Sequence, residues 1–319
     1  MKKTSLLFLL IAFAAGSVSL TSFPSAEENI PFLVTFSKEA QKSWGDDDFI
    51  QIYFISIPKS RIDPIYIRIL DPQIGGQFDE NRSGFNSKTK FTICGGKGCY
   101  SDPAARAQDP VGNYKSGIEL SSKTFGPEAD YDNKWYAFGP FNPTEGEYNA
   151  EFGTYIMKIV VEGLEGDDGN LYKIDVSGDK TTSTLIEGLN SFTYEYCFRT
   201  YDALNSVSHI YPYVSPGVIS VRINTFDYDD EGDVKIISVA KKGEKVNATG
   251  DGIWNVSQHN IVAAEANTSL DVQFVKKNAV NNNNVVVYIT DQYGALLPFY
   301  ASPIGGIPKF KGKIVVKEK

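Results

Sequence analysis

Carboxylates crowd onto two loops of this chain: Asp46-Asp47-Asp48, and Asp227-Tyr228-Asp229-Asp230-Glu231-Gly232-Asp233. Neighbouring carboxylates repel one another, and a hard divalent cation relieves that repulsion. Calcium takes roughly six to eight oxygen ligands from carboxylates, carbonyls and water. Each acidic run leads into an apolar stretch, and a later stretch in each half closes on an aspartate. The sequence therefore points to two calcium sites. Asp46, Asp47, Asp48, Asp71 and Asp79 would hold the first ion; Asp227, Asp229, Asp233 and Asp291 the second. The second run lacks the glycine and the closing bidentate glutamate of an EF-hand loop. A solvated acidic turn is the competing reading of each run.

Nucleophilic chemistry has less to stand on. The chain has two histidines, His209 and His259. Neither lies in an HExxH motif or beside a GxSxG elbow. A Ser-His-Asp group brings together residues distant in sequence, and nothing here singles one out. Gly95-Gly96-Lys97-Gly98 lacks the spacing of a phosphate-binding loop. A glycosidase needs two facing carboxylates, and 39 acidic residues give no pair preference. Binding is expected over catalysis. Aromatic rings offer flat apolar platforms for sugars, and Trp44 and Trp254 sit in Gly/Asp-rich surroundings suited to exposure. A carbohydrate-binding module or polysaccharide-active enzyme is the alternative function. Cys94 and Cys99 flank the glycine-rich stretch and are expected to close a small disulfide loop. Cys197 falls on one face of an alternating segment and reads as a buried thiol, with pairing to Cys94 or Cys99 as the alternative.

The elements that must position these residues are strands. Short Val/Ile/Tyr/Phe/Thr runs recur, among them Phe32–Phe36, Phe49–Ile57, Ile65–Leu70, Tyr155–Glu162, Leu171–Val176 and Val218–Thr225, separated by Gly, Pro, Asn and Asp turns. Tyr155–Glu162 and Leu171–Val176 read as a hairpin around an acidic turn. Helix is confined to single turns near Ala104–Gln108 and Gln258–Ala266. The fold class is all-β, with two β-sandwich domains of jelly-roll or immunoglobulin-like type. Residues 27–204 would form the larger sandwich and 205–319 the smaller.

Residues 1–26 read as a secretory signal peptide. Lys2 and Lys3 precede the apolar run Leu6–Ala15, and small polar residues follow. The protein is thus expected to be exported, to the periplasm, cell surface or medium. No apolar run of spanning length is expected in the mature chain. A net charge of -8 argues against nucleic acid and anionic lipid as partners.

Three stretches carry a resemblance: Ile65-Tyr-Ile-Arg-Ile-Leu-Asp-Pro-Gln-Ile-Gly-Gly-Gln-Phe-Asp-Glu, Val161-Glu-Gly-Leu-Glu-Gly-Asp-Asp-Gly-Asn-Leu-Tyr and His209-Ile-Tyr-Pro-Tyr. Gly139-Pro-Phe, Glu145-Gly-Glu and Thr268-Ser-Leu-Asp-Val-Gln-Phe add to it. Together they resemble the N-terminal β-sandwich region of exported bacterial envelope proteins that, in longer relatives, precedes an OmpA-like domain. The OmpA-like part is absent from this sequence, so wall anchoring is not implied. The resemblance implies an envelope-associated or secreted binding or scaffold protein, its partner an envelope protein or a glycan. It supplies no catalytic residues.

Overall fold

The computed structural model describes residues 29–46, 49–106, 112–228, 232–247, 252–280 and 284–307. The signal-peptide assignment lies outside these, as do Asp47, Asp48 and Asp229. Among the described residues no helix is long and apolar enough to cross a membrane.

Alternation in sequence becomes alternation in burial. In Ile65–Leu70, Ile65, Ile67 and Ile69 are fully buried between layers, while Tyr66 and Leu70 face outward. Such strands assemble an eight-stranded antiparallel sheet. Its order is Trp254–Asn260, Ser220–Phe226, Asn284–Asp291, Glu195–Arg199, Phe32–Phe36, Gly169–Ser177, Ile65–Leu70, Trp135–Phe141. A seven-stranded sheet built around Ile50–Pro58, Thr154–Glu165 and Lys88–Gly95 covers one part of it. A four-stranded sheet of Val207–Ile210, Asp271–Lys276, Gly232–Ile237 and Lys242–Val246 covers the other. The all-β sandwich class is what the structure shows.

The 204/205 boundary does not separate two sheets. Glu195–Arg199 pairs with Asn284–Asp291, Glu195 facing Tyr288 and Arg199 facing Asn284. Phe299–Tyr300 likewise adds to Asn190–Thr193 in the seven-stranded sheet. One apolar cluster runs from Ile67, Phe91 and Ile159 through Tyr196 and Phe198 to Ile223, Phe274 and Val287. The two sandwiches therefore share one long sheet and one core. Period-two patterning identifies strands but is blind to which strand pairs with which.

The same blindness explains a second correction. Thr154–Glu165 and Gly169–Ser177 do not form a hairpin. The first pairs with Ile50–Pro58 and Lys88–Gly95, the second with Phe32–Phe36 and Ile65–Leu70. The acidic turn between them carries the chain from one layer to the other. The expected helical turns are short 3-10 segments at Pro103–Arg106 and Ala263–Glu265, and Gln258 belongs to a strand.

Candidate functional site

Trp44 and Trp254 come from opposite ends of the chain and meet on one surface. Outward-facing positions on adjacent strands form a cross-sheet row: Trp254 opposite Phe226, Phe226 opposite Val286, Val286 opposite Cys197, and Val34 opposite Leu171. Val34, Phe36, Leu171, Cys197, Phe226 and Val286 make a buried apolar patch outside the eight-stranded sheet. Half-buried Phe32, Trp44, Phe78 and Trp254 pack against it. The Trp254 ring lies 5.2 Å from Phe226 and 5.0 Å from Tyr288. Phe32 lies 5.0 Å from Phe78 and carries the Lys173 ammonium over its face at 4.8 Å. Phe32, Trp44, Phe78 and Trp254 are thus each half-buried, with apolar contact to the patch beneath.

Polar groups border this face. Asn284 Nδ2 donates to Trp44 O at 2.9 Å and to Glu80 Oε1 at 3.0 Å. Arg199 Nε donates to Asn284 Oδ1 at 2.9 Å, and its guanidinium also bonds Glu80. Gly45 makes the turn after Trp44 possible. Its φ is 83°, and a Cβ there would lie 2.9 Å from Asn284 Cβ.

Of the acidic residues singled out in the sequence, Asp46, Asp71, Asp79, Asp227, Asp233 and Asp291 are described. Among the described residues no three His, Cys, Asp or Glu side chains form a metal-binding group. Asp46 is buried in the turn after Trp44. Asp71 and Asp79 belong to a different loop, whose partner is the turn Tyr131–Lys134. Asp71 Oδ1 accepts from Asn133 N at 3.0 Å, and Gln73 Oε1 accepts from Tyr131 N at 2.7 Å. Asp79 accepts from Gly75 N at 2.7 Å and Leu171 N at 2.6 Å. Asp132 projects back at this loop: a Cβ on Gly76 would lie 2.1 Å from its Oδ1. Burial, followed by the charge of Asp132, raises the Asp71 pKa to about 6. Asp79 is raised well above the usual carboxylate range, first by burial and then by Asp71 and Asp132, against its two backbone donors.

The second set is pulled apart by register. Asp291 faces Val221, whereas Asp227 follows Phe226, which faces Val286. These two aspartates therefore lie at opposite ends of one strand pair and cannot share an ion. Asp227 Oδ1 accepts from Gly252 N at 3.0 Å. Asp291 Oδ1 closes its own turn by accepting from Tyr293 N at 2.7 Å and Ala295 N at 2.9 Å. Asp233 faces Lys235 and Lys245, each at 4.0 Å.

The disulfide expected between Cys94 and Cys99 is not formed; both thiols are free and buried, and Cys197 is buried as expected. Cys94 lies across from Lys158 in the strand register. Cys99 instead turns its Sγ to donate to Ile156 O at 3.2 Å. Burial pushes the Cys99 thiol up to about 12. Lys158, fully buried beneath the same loop, donates to Tyr114 O at 2.5 Å and Ser116 Oγ at 3.2 Å. Glu147 pins that loop from the other side, accepting from Gly98 N, Tyr100 N and Ser101 N at 2.8–2.9 Å. These bonds outweigh burial and hold Glu147 below its ordinary pKa.

One relay escaped sequence reasoning. Glu244 Oε1 lies 2.5 Å from His259 Nδ1, and His259 Nε2 lies 3.0 Å from Ser257 Oγ. The connectivity is that of a Ser-His-acid group. Ser257 and His259 are each only 5% exposed, however, so the hydroxyl is not presented to solvent. Strand alternation places both on one face, a signal readable only once the strand is known. Asp132 did have a sequence signal: Asp130-Tyr131-Asp132-Asn133 is an acidic turn like those singled out.

No family model matches the chain, and no curated protein matches it. Among solved structures, the T=3 Penaeus vannamei nodavirus aligns over 95% of this chain and 97% of its own, at 9% identity and a TM-score of 0.19. The T=1 form of that virus aligns over 86% and 93%, at 10% identity and a TM-score of 0.18. The N-terminal CBM22-1-CBM22-2 tandem domain from Paenibacillus barcinonensis Xyn10C aligns over 87% and 95%, at 9% identity and a TM-score of 0.17. Scores this low establish no shared fold and carry no functional argument.

Proposed function

We propose that this chain is an exported, non-catalytic binding module of the bacterial cell envelope that takes a glycan on the aromatic face of its eight-stranded sheet. The observation supporting this is the convergence of Trp44 and Trp254 on one patch, with Phe32, Phe78 and Tyr288 around them. Half-buried rings suit the apolar faces of sugar rings, and the partly exposed Arg199–Glu80 pair, held in place by buried Asn284, supplies donors and acceptors for hydroxyls. The shared sheet makes this a rigid presentation, so little ordering entropy opposes binding. The basic start and apolar run at the N-terminus support export.

Retention on a panel of insoluble polysaccharides, read by depletion from solution, tests the proposal. The parent protein is expected to be retained on at least one of them. Trp44→Ala and Trp254→Ala should each weaken retention about tenfold or more, on the scale of an interface hot spot. Retention unchanged in both variants, or none by the parent, would remove the glycan reading. Release of reducing sugar during the same incubation would replace it with a hydrolase.

A further inference from the structure

We propose that the loop from Asp71 to Asp79 is a calcium site whose protein donors are Asp71, Asp79 and the side-chain carbonyl of Asn170, with Asp132 adding charge from the facing turn.

Buried oxygens without donors carry the argument. Asp71 is fully buried; Asn133 satisfies its Oδ1, while its Oδ2 has no hydrogen-bond partner. Asn170 is also fully buried. Its carboxamide reaches into the same loop, Nδ2 donating to Pro72 O at 2.9 Å, and its Oδ1 is left without a partner. Asp79 is tied to the residue after Asn170 through Leu171 N and to the loop itself through Gly75 N. Asp132 lies against Gly76. Two separate segments thus deliver oxygens to a loop that contributes two carboxylates of its own.

A buried acceptor lacking a donor is costly, and native structures rarely leave one unexplained. Here two such acceptors adjoin crowded carboxylates. A hydrogen-bond donor would answer one oxygen; a cation answers the oxygens and the charge together. The donor set contains no nitrogen or sulfur, which disfavours zinc and copper. Two carboxylates and a carboxamide leave backbone carbonyls and water to complete calcium's roughly six to eight ligands. Magnesium demands tighter octahedral geometry and keeps its own water, so it fits this mixed set less well. The site does not depend on the aromatic face, and either proposal can fail alone.

The test is a melting curve of the purified protein in EDTA and in millimolar calcium or magnesium, alongside terbium luminescence sensitised by Tyr131 and Trp135. Calcium is expected to raise the midpoint by about 5 °C at saturation, magnesium by less. Asp71→Asn keeps an acceptor for Asn133 and should fold in EDTA; it should bind terbium about tenfold more weakly or worse. Asp132→Asn, on the half-buried turn, should weaken terbium similarly and decides the matter if Asp71→Asn does not fold. Asp233→Asn should leave both readouts unchanged. Absence of a calcium-dependent rise would overturn the proposal, as would a rise kept intact by Asp71→Asn and Asp132→Asn. Loss of the rise in Asp233→Asn alone would move the ion to the other acidic loop and also overturn it.

Discussion

Glu265→Gln is expected to cost about 3–5 kcal/mol of folding stability at neutral pH, the range for breaking one side of a buried ion pair. Glu265 has no solvent exposure. Lys241 Nζ donates to both its carboxylate oxygens, at 2.9 and 2.8 Å. Val262 N donates at 2.9 Å, and Ser238 Oγ adds a further bond. The carboxylate thereby joins the turn after Gly232–Ile237 to the segment that leaves Trp254–Asn260, tying the four-stranded sheet to the edge of the long one. Glutamine keeps one acceptor but leaves the Lys241 ammonium, 7% exposed at the side chain, without its counter-charge. Burial alone would raise the Glu265 pKa, but the bonds from Lys241, Ser238 and Val262 outweigh it and lower the pKa. A lowered folded pKa contributes stability above the unfolded value, about 4.3, and loses it as pH falls through the folded one. Urea unfolding should therefore show a full gap between parent and variant at pH 7 that closes below about pH 4. A gap independent of pH would mean that packing, rather than charge, makes Glu265 important.

Arg68→Met should cost a similar amount, about 3–5 kcal/mol, at the far end of the same sheet. Arg68 Nη1 donates to Asp175 Oδ2 at 2.7 Å, with side chains only 4% and 2% exposed. Its Nη2 reaches Thr181 O at 3.0 Å, and the guanidinium lies 4.6 Å from the Trp135 ring centre. Removing it strands Asp175 with Ser183 Oγ at 3.1 Å as its remaining side-chain partner. Burial already raises the Asp175 pKa despite Arg68. A raised acid pKa means that the folded state holds its proton more tightly, so stability falls as pH rises through that window. Losing Arg68 widens the window, and the variant should be weakest at neutral pH and partly recover toward pH 4. Adding Asp175→Asn should restore much of the loss. Trp135 fluorescence should shift in Arg68→Met, and an unshifted spectrum with unchanged stability would contradict the account.

Strand positions and their alternation were legible because β-branched and aromatic residues recur at period two. Ile65, Ile67 and Ile69 behave as that pattern requires. Partnering was not legible. Glu195–Arg199 reaches across the expected boundary to Asn284–Asp291, and nothing in either segment encodes that choice except apolarity. The site was legible by residue type and illegible by geometry. Trp44 and Trp254 were identified separately, but their meeting depends on the cross-sheet row that joins them. Asp71 and Asp79 group together in sequence, whereas Asp132 comes from a turn and Asn170 from the strand Gly169–Ser177, and only the sheet order dictates their approach. Asp291 was grouped with Asp227 on sequence logic that antiparallel register reverses.

A tryptophan fluorescence titration tests the central claim most directly. The chain has three tryptophans, so Trp135→Phe leaves Trp44 and Trp254 as the reporters. That variant, titrated with soluble forms of the retained polysaccharide, should show a saturable change in emission as sugar covers the half-buried rings, and adding Trp44→Ala should diminish it. An emission spectrum that does not move at any glycan concentration, while the protein is still retained on the polysaccharide, would place the contact elsewhere and contradict the aromatic face as the binding surface.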